Sequence, residues 1–343
     1  MQATRGPAAI GIYFLKTFDI ITNVTFYLCK MRIVFMGTPE FAVASLDILV
    51  KNNYNVVGVV TVPDKPAGRG QQIQESAVKQ YAKEKGLKIL QPVKLKDPAF
   101  IEELKNLKAD LQIVVAFRML PEEVWNMPPL GTYNLHGSLL PKYRGAAPIN
   151  WAVINGEKES GVTTFKLKHE IDTGNVLFQE KVQLSDTTTA GELHDVIMKV
   201  GAELILKSVK AIESGKYELK AQSESEAVHA PKIFKEDCRI NWNKPAKEVY
   251  NLIRGLSPYP AAFTEFTDVK GNLASFKIFK SVVEEGGSNQ ANGLLLTDNK
   301  TFIKIVADGG CIQIKELQLQ GKKRMGTEEF LRGYKFGENT FCH

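Results

Sequence analysis

The sequence predicts an α/β protein: a doubly wound, mostly parallel sheet followed by a small, OB-like β-barrel. Three observations carry that expectation. Short, continuously apolar strands alternate with helical segments through the first two thirds of the chain, the pattern of a parallel sheet covered on both faces. Around Ser223–Pro231, "SESEAVHAP", the composition turns polar and the alternation stops. Beyond it, short strands separated by Gly, Asn and Asp turns follow in close succession, as in a small barrel.

Taken in order, "RIVFM" (Arg32–Met36) is the first strand. Gly37-Thr38-Pro39-Glu40 then opens a helix, with Thr38 expected to cap it, Pro39 to sit in its first turn and Glu40 to favour its positive end. The helix continues as "FAVASLDILVKN", with Phe41, Leu46 and Leu49 among its apolar positions. "NVVGVVTV" (Asn55–Val62) and "DLQIVVAF" (Asp110–Phe117) are further buried strands. Between Val62 and a helix near Gln74–Lys85, "PDKPAGRGQQ" forms a loop longer than the roughly two to six residues usual there, and Gly68 and Gly70 flank Arg69 in it. One helix, "PAKEVYNLIRGL", precedes the later strands "AAFTEF", "SFKIFKSVV", "GLLLT", "TFIKIVA" and "CIQIKELQL". The expected organisation is an extension (1–30), an α/β domain (31–210), a linker (211–235) and a barrel domain (236–343).

Composition narrows the function classes. With 24% charged and 44% hydrophobic residues, the 343-residue chain has the balance of a soluble globular protein long enough for two cores. Of its net charge of +6, residues 231–343 hold +4, from 17 Lys and Arg against 13 Asp and Glu. That bias suits an anionic partner or simply a solvated basic surface. Cys29, Cys238, Cys311 and Cys342 form no C-x-x-C and suggest reduced thiols. In residues 1–30, Lys16 and Asp19 interrupt the apolar run and argue against a membrane span. A single Arg and no Ser argue against a transit peptide, and Met31, directly before a strand, reads as the natural start. "GTPEFA" has one glycine where a dinucleotide fingerprint needs three, which excludes that reading.

The stretch that carries chemistry is "YNLHGSLLPKYRGAAP" (Tyr133–Pro148). Asn134 and His136 share a parity, so on a strand both point to one face, where ligands of such sheets bind beyond the strand ends. Asp172 follows in "HEIDTG", after the strand "GVTTFKLK". A carboxylate beside an imidazole orients it and favours its charged form, and an amide offers a neutral donor to developing negative charge. Together they suit acyl transfer to an amine. Structural alternatives stand beside each: Asn134 bonding a turn, His136 closing a strand end, Asp172 in an ordinary turn, His169 on the surface. No nucleophile elbow and no H-E-x-x-H is present, so no metal is expected.

"NLHGSLLPKYRGAAPINW" followed by "GVTTFKLKHEIDTG" resembles the folate-dependent formyltransferase signature: N-x-H, then S-L-L-P-x-x-R-G, then D-x-G. The resemblance implies a Rossmann-like catalytic domain, 10-formyltetrahydrofolate as formyl donor, Asn134, His136 and Asp172 as catalytic residues, and Ser138, Leu139, Leu140 and Pro141 lying against the folate. "VFMGTPEFA", "PDKPAGRG", "APKIFKEDCRINW", "LIRGLSPYPAAF" and "LQLQGKKRMGTEEFLRG" resemble the members whose acceptor is initiator methionyl-tRNA. That implies tRNA contacts from Lys65 and Arg69 in the long loop and from Lys322, Lys323 and Arg324 in the barrel. It also implies a monomer with no DNA or membrane partner, working in the cytoplasm, or in an organelle matrix if residues 1–30 are a transit segment. The chain departs from the family in Gln71 and Gln72, where many relatives carry lysines, in Glu170 beside the site, and in Arg118, read as a contact for an acidic group of folate. Two other readings stay open: a formyltransferase of an amino sugar nucleotide or other small amine, and a non-catalytic RNA-binding descendant.

Overall fold

A computed structural model describes residues 30–67, 72–286 and 289–343; Cys29, Arg69 and Gln71 lie outside them. The first domain opens with β1 (Arg32–Gly37), α1 (Glu40–Lys51), β2 (Asn55–Val60), β3 (Lys65–Ala67), β4 (Gln72–Gln74), α2 (Ala77–Glu84), β5 (Ile89–Leu90) and α3 (Pro98–Asn106). It continues with β6 (Leu111–Val115), α4 (Glu122–Trp125), β7 (Thr132–His136), β8 (Arg144–Gly145), α5 (Pro148–Ile154), β9 (Glu159–Lys166), β10 (Val176–Gln183) and α6 (Ala190–Ser214).

Seven strands form one sheet in the order β10-β9-β7-β6-β1-β2-β5. β1, β2, β5, β6 and β7 run parallel, while β9 and β10 add an antiparallel edge. Alternate side chains of β1 explain why its sequence is apolar throughout. Ile33 and Phe35 join Leu46, Ile113 and Ile205 on one face, and Val34 and Met36 join Leu104 and Val124 on the other.

The helix after β1 begins one residue later than its cap signal suggested. Pro39 takes the cap position and Thr38 makes no capping bond, because a helix opening at Glu40 leaves Thr38 outside it. The long loop after β2 contains a short antiparallel hairpin, Lys65–Ala67 on Gln72–Gln74, so its ends are paired rather than open. β10 and α6 complete the domain, and α6 starts with a full capping box: the Thr189 hydroxyl accepts from the Glu192 N–H, and the Glu192 carboxylate accepts from the Thr189 N–H.

The linker contributes β11 (His229–Ala230), which pairs with β8. The second domain then runs α7 (Ala246–Leu256), β12 (Ala262–Thr267), β13 (Leu273–Glu285), β14 (Leu295–Thr297), β15 (Ile303–Ala307), β16 (Gly310–Leu319), β17 (Met325–Gly326) and α8 (Thr327–Gly333). Its antiparallel sheet runs β12-β13-β16-β15-β14, with β17 on β16. The end of the chain bridges the two open edges: Cys342 pairs with Phe266 of β12, and Phe341 with Leu294 just before β14. Phe266, Phe276, Phe330 and Phe336 pack inside this curved sheet. Cys238, Cys311 and Cys342 are free thiols.

Side-chain bonds join the domains: Asn150 Nδ2 donates to Gly255 O at 2.7 Å, and the buried Arg254 donates through Nη1 to Thr188 O at 2.8 Å. Among the described residues no helix is long and apolar enough to cross a membrane. Thr189→Ala removes the α6 cap and is expected to lower stability by about 1 kcal/mol, read as a shifted midpoint in chemical denaturation.

Candidate active site

Asn134 and His136 lie on β7, whose partners Phe165 and Thr163 on β9 set their register. They open onto a cavity of about 710 Å3 beyond the ends of β6 and β7. Phe117, Leu120, Trp125 and Leu167 supply apolar wall, and Asn134, His136 and Asp172 gather at one part of it. Among the described residues the Asn134 amide makes no side-chain hydrogen bond. A half-buried amide that nothing else uses is available to a ligand.

His136 is buried, and its Nε2 lies 2.8 Å from the Tyr143 carbonyl oxygen. A carbonyl only accepts, so Nε2 carries a proton and the neutral ring leaves Nδ1 bare. Nδ1 faces Asp172, whose Oδ2 is 3.8 Å away. That separation is too long for a hydrogen bond, and it sets a carboxylate where it would attract a positive charge on the ring. The ring is therefore oriented by Tyr143, not by Asp172 as the sequence reading supposed.

Asp172 is held from three sides. Its φ is +54°, an uncommon backbone state for a non-glycine residue. The Gly145 N–H donates to its Oδ2 at 2.9 Å. Gln222 Nε2 donates to the carbonyl oxygens of Asp172 and Gly174 at 2.8 and 2.7 Å. Gln222 Oε1 in turn accepts from Arg144 Nε and Nη2, and Arg144 forks onto both carboxylate oxygens of Glu224. That fork holds the Glu224 carboxyl below the usual carboxylate range. The D-x-G glycine is obligatory on steric grounds, since a Cβ at Gly174 would lie 1.8 Å from the Lys166 carbonyl oxygen.

Tyr143 and Gly145 flank Arg144, and both have positive φ, +62° and +126°. A Cβ at Gly145 would meet Ala230 O at 2.5 Å. Burial, with the Glu157 carboxylate beside it, pushes the Tyr143 phenol up to about 12, and its hydroxyl donates to Glu157 at 2.7 Å. Arg144 and Gly145 were visible within the signature, but Gln222 and Glu224 sit in a polar linker with no local sign of a role at the site.

Ser138, Leu139, Leu140 and Pro141 lie behind the cavity wall, and none of them is among the residues lining it. Ser138 Oγ donates to Lys142 O at 2.6 Å, and Thr163 Oγ1 donates to Ser138 O at 2.7 Å. Gln179 Nε2 donates to Leu140 O, while the Leu140 side chain packs on Phe165 and Val176. Gly137, Gly145 and Ala146 are the parts of this segment that reach the cavity. Arg118 does line it, but its Nη groups donate to the Pro92 and Val93 carbonyls, and burial lowers its pKa. Glu170 and His169 stand exposed at the rim.

Lys65 is exposed on the β3–β4 hairpin, and Lys322 and Lys323 are exposed in the β16–β17 turn. Arg324 differs from them. It is bidentate to Glu316 at 2.7 and 2.6 Å, with its guanidinium 4.2 Å from the Phe279 ring centroid, so its charge is already partnered. Among the described residues no His, Cys, Asp and Glu cluster could hold a metal ion.

Residue for residue, Gln222→Leu is expected to free the Asp172 turn and lower kcat by roughly 10- to 100-fold, with donor KM nearly unchanged, measured by steady-state kinetics.

The two-domain fold agrees with what comparison with known proteins finds. Residues 31–209 match the formyl transferase family profile, and residues 232–335 match the formyl transferase C-terminal domain. The methionyl-tRNA formyltransferase of Bacteroides fragilis is 55% identical over 312 residues, covering 90% of this chain and 96% of that protein. That of Flavobacterium johnsoniae is 52% identical over 313 residues, covering 91% and 98%. Among solved structures, the N-formyltransferase from Helicobacter canadensis in complex with folinic acid and dTDP-3-aminofucose superposes with a TM-score of 0.62 at 23% identity, covering 83% of this chain and 98% of that one. HypX from Aquifex aeolicus in complex with tetrahydrofolic acid gives 0.60 at 20% identity, covering 90% and 49%. The structural matches support the fold, while the profiles and the sequence relatives decide the family: the chain belongs to the formyltransferases.

Proposed function

We infer that this chain transfers the formyl group of 10-formyltetrahydrofolate to the free α-amine of methionine esterified to initiator tRNA. One observation carries the chemistry. An unpartnered amide, a bare imidazole nitrogen and a braced carboxylate converge in one chamber, from Asn134, His136 and Asp172.

The chamber fits a folate. Its volume of about 710 Å3 suits a small-molecule ligand, and Phe117, Leu120, Trp125 and Leu167 offer apolar surface to a flat heteroaromatic ring. The folate supplies a formyl carbon as its activated acyl group. Ser138, Leu139, Leu140 and Pro141 serve the donor indirectly, by fixing Gly137 and Gly145 in the chamber wall.

Three tasks fall to the protein. Asn134 donates from its amide to the carbonyl oxygen on which negative charge develops. His136, with Nε2 committed to Tyr143, takes the proton of the attacking amine at Nδ1, and the tetrahedral adduct collapses by breaking the formyl carbon's bond to folate N10, which leaves with that proton as N–H. Asp172, 3.8 Å away, stabilises the imidazolium so formed.

Lys65, Lys322 and Lys323 stand exposed for the phosphates of the acceptor, a contact that weakens with added salt. Arg324 joins them only by giving up Glu316. Arg69 is the acceptor-end contact of the same loop as Lys65, and the enzyme acts as a monomer in the cytoplasm, where translation begins.

The decisive assay mixes protein, 10-formyltetrahydrofolate and methionine-charged initiator tRNA beside an uncharged control. Formyl-methionyl-tRNA in the charged sample alone is the expected result; formylation of an amino sugar nucleotide instead overturns the acceptor. His136→Ala is expected to lose about 10²–10³ in kcat while keeping its fold, checked by circular dichroism and single-turnover kinetics. Arg69→Ala is expected to raise KM for charged initiator tRNA roughly tenfold with folate affinity unchanged. Equal loss of both would refute that role.

A further inference from the structure

The chamber borders a second hollow. A groove of about 1140 Å3 runs along the seam between the domains, walled by the first turns of α6 on one side and by Lys247, Tyr250 and Tyr259 on the other. The linings of groove and chamber have Ile149 and His194 in common, so the two spaces meet there. Elsewhere the chamber rim opens to solvent at Met119 and Ile171, which are 73% and 62% exposed, an entrance suited to a small donor. A macromolecule that brings an amine to His136 has the seam as its approach, and His194 stands at its inner end.

His194 is set for a specific contact. Its ring leans on Phe41, which also lines the chamber, with centroids 5.3 Å apart and planes at 53°. Its Nδ1 lies 3.1 Å from Asp195 Oδ1, and the side chain is 42% exposed. An ionised carboxylate only accepts, so Nδ1 carries a proton and Nε2 is the nitrogen left to meet a ligand. Among the described residues nothing occupies that nitrogen.

The acceptor read from the active site carries a matching group. An aminoacyl ester uses one of the two neighbouring hydroxyls of the terminal ribose and leaves the other free, close to the reacting amine. A ribose hydroxyl both donates and accepts, and it distinguishes RNA from DNA. We propose that His194 is an acceptor-binding residue whose Nε2 hydrogen-bonds the free ribose hydroxyl of the terminal nucleoside. The Phe41 stack and the Asp195 bond hold the ring for it. The proposal rests on the tRNA reading given above, and it adds a requirement for the sugar that the identity of the amino acid does not impose.

The test is a two-by-two cycle of enzyme and acceptor. Wild type, His194→Ala and His194→Phe are compared on methionyl-tRNA ending in adenosine and in 2′-deoxyadenosine, with methionine on the 3′ oxygen and folate affinity measured alongside. His194→Phe keeps a ring against Phe41 and so guards against simple collapse of the site. The wild-type enzyme is expected to lose roughly 3- to 10-fold in kcat/KM on the deoxy acceptor, the size of one hydrogen bond. Both variants should lose about as much on the normal acceptor, and almost nothing further on the deoxy one, with folate affinity unchanged. Additive penalties, or variants as active as wild type, overturn the role of His194. A wild-type enzyme that formylates neither acceptor overturns the tRNA reading itself, and with it this proposal.

Discussion

Three consecutive residues, Tyr143, Arg144 and Gly145, constrain everything that happens at the site. The Tyr143 carbonyl accepts a hydrogen bond from His136 Nε2, the Gly145 N–H donates to Asp172 Oδ2, and the Arg144 side chain between them grips Gln222 and Glu224. One short segment thus sets the tautomer of the imidazole and the position of the carboxylate at once. Its backbone has to turn through two positive φ values to do so, which is tolerable because Tyr143 is anchored by Glu157 and Gly145 lacks a side chain. The pairing of β8 with β11 locks the segment to the linker that follows the catalytic domain.

Arg144 shows how a buried charge is made to serve position. Its side chain is 6% exposed, and leaving a guanidinium so placed without partners would be costly. Every one of its bonds is instead directed at Gln222 or Glu224, and Gln222 passes the constraint to the main chain on both sides of Thr173. Asp172 can therefore remain near His136 without a direct hydrogen bond to it. His136 Nδ1 is thereby left without a hydrogen-bond partner among the described residues.

The chamber has two sides of different character. Apolar walls stand beside the Arg118 loop, which is tied back to Pro92 and Val93. Toward the seam, polar contacts such as Asn150 to Gly255 and Arg254 to Thr188 hold the second domain against the first. In the proposed function, the first side serves the small donor and the second the large acceptor.

Much of this architecture was legible in the chain itself, for local reasons. Continuous apolar runs such as "RIVFM" identify buried parallel strands because both of their faces are covered. Parity alone puts Asn134 and His136 on one face, and the missing glycines of "GTPEFA" exclude a dinucleotide. Thr38 misled because a cap depends on where the helix begins, and this one begins with Pro39 in the cap position. Contacts between distant parts of the chain were beyond local reading. Gln222 reaches a turn 50 residues earlier, Tyr143 and not Asp172 orients His136, and Glu316 engages the expected phosphate ligand Arg324. The last residues bridge the barrel through Cys342 and Phe341, far from the strands they join. The sequence by itself determined which long apolar segments are strands and which side chains are candidates for the chemistry, since both follow from spacing and residue type. Only the tertiary structure decided which nitrogen of His136 is left free and which space lies before it, since those depend on groups that folding alone brings within hydrogen-bond reach.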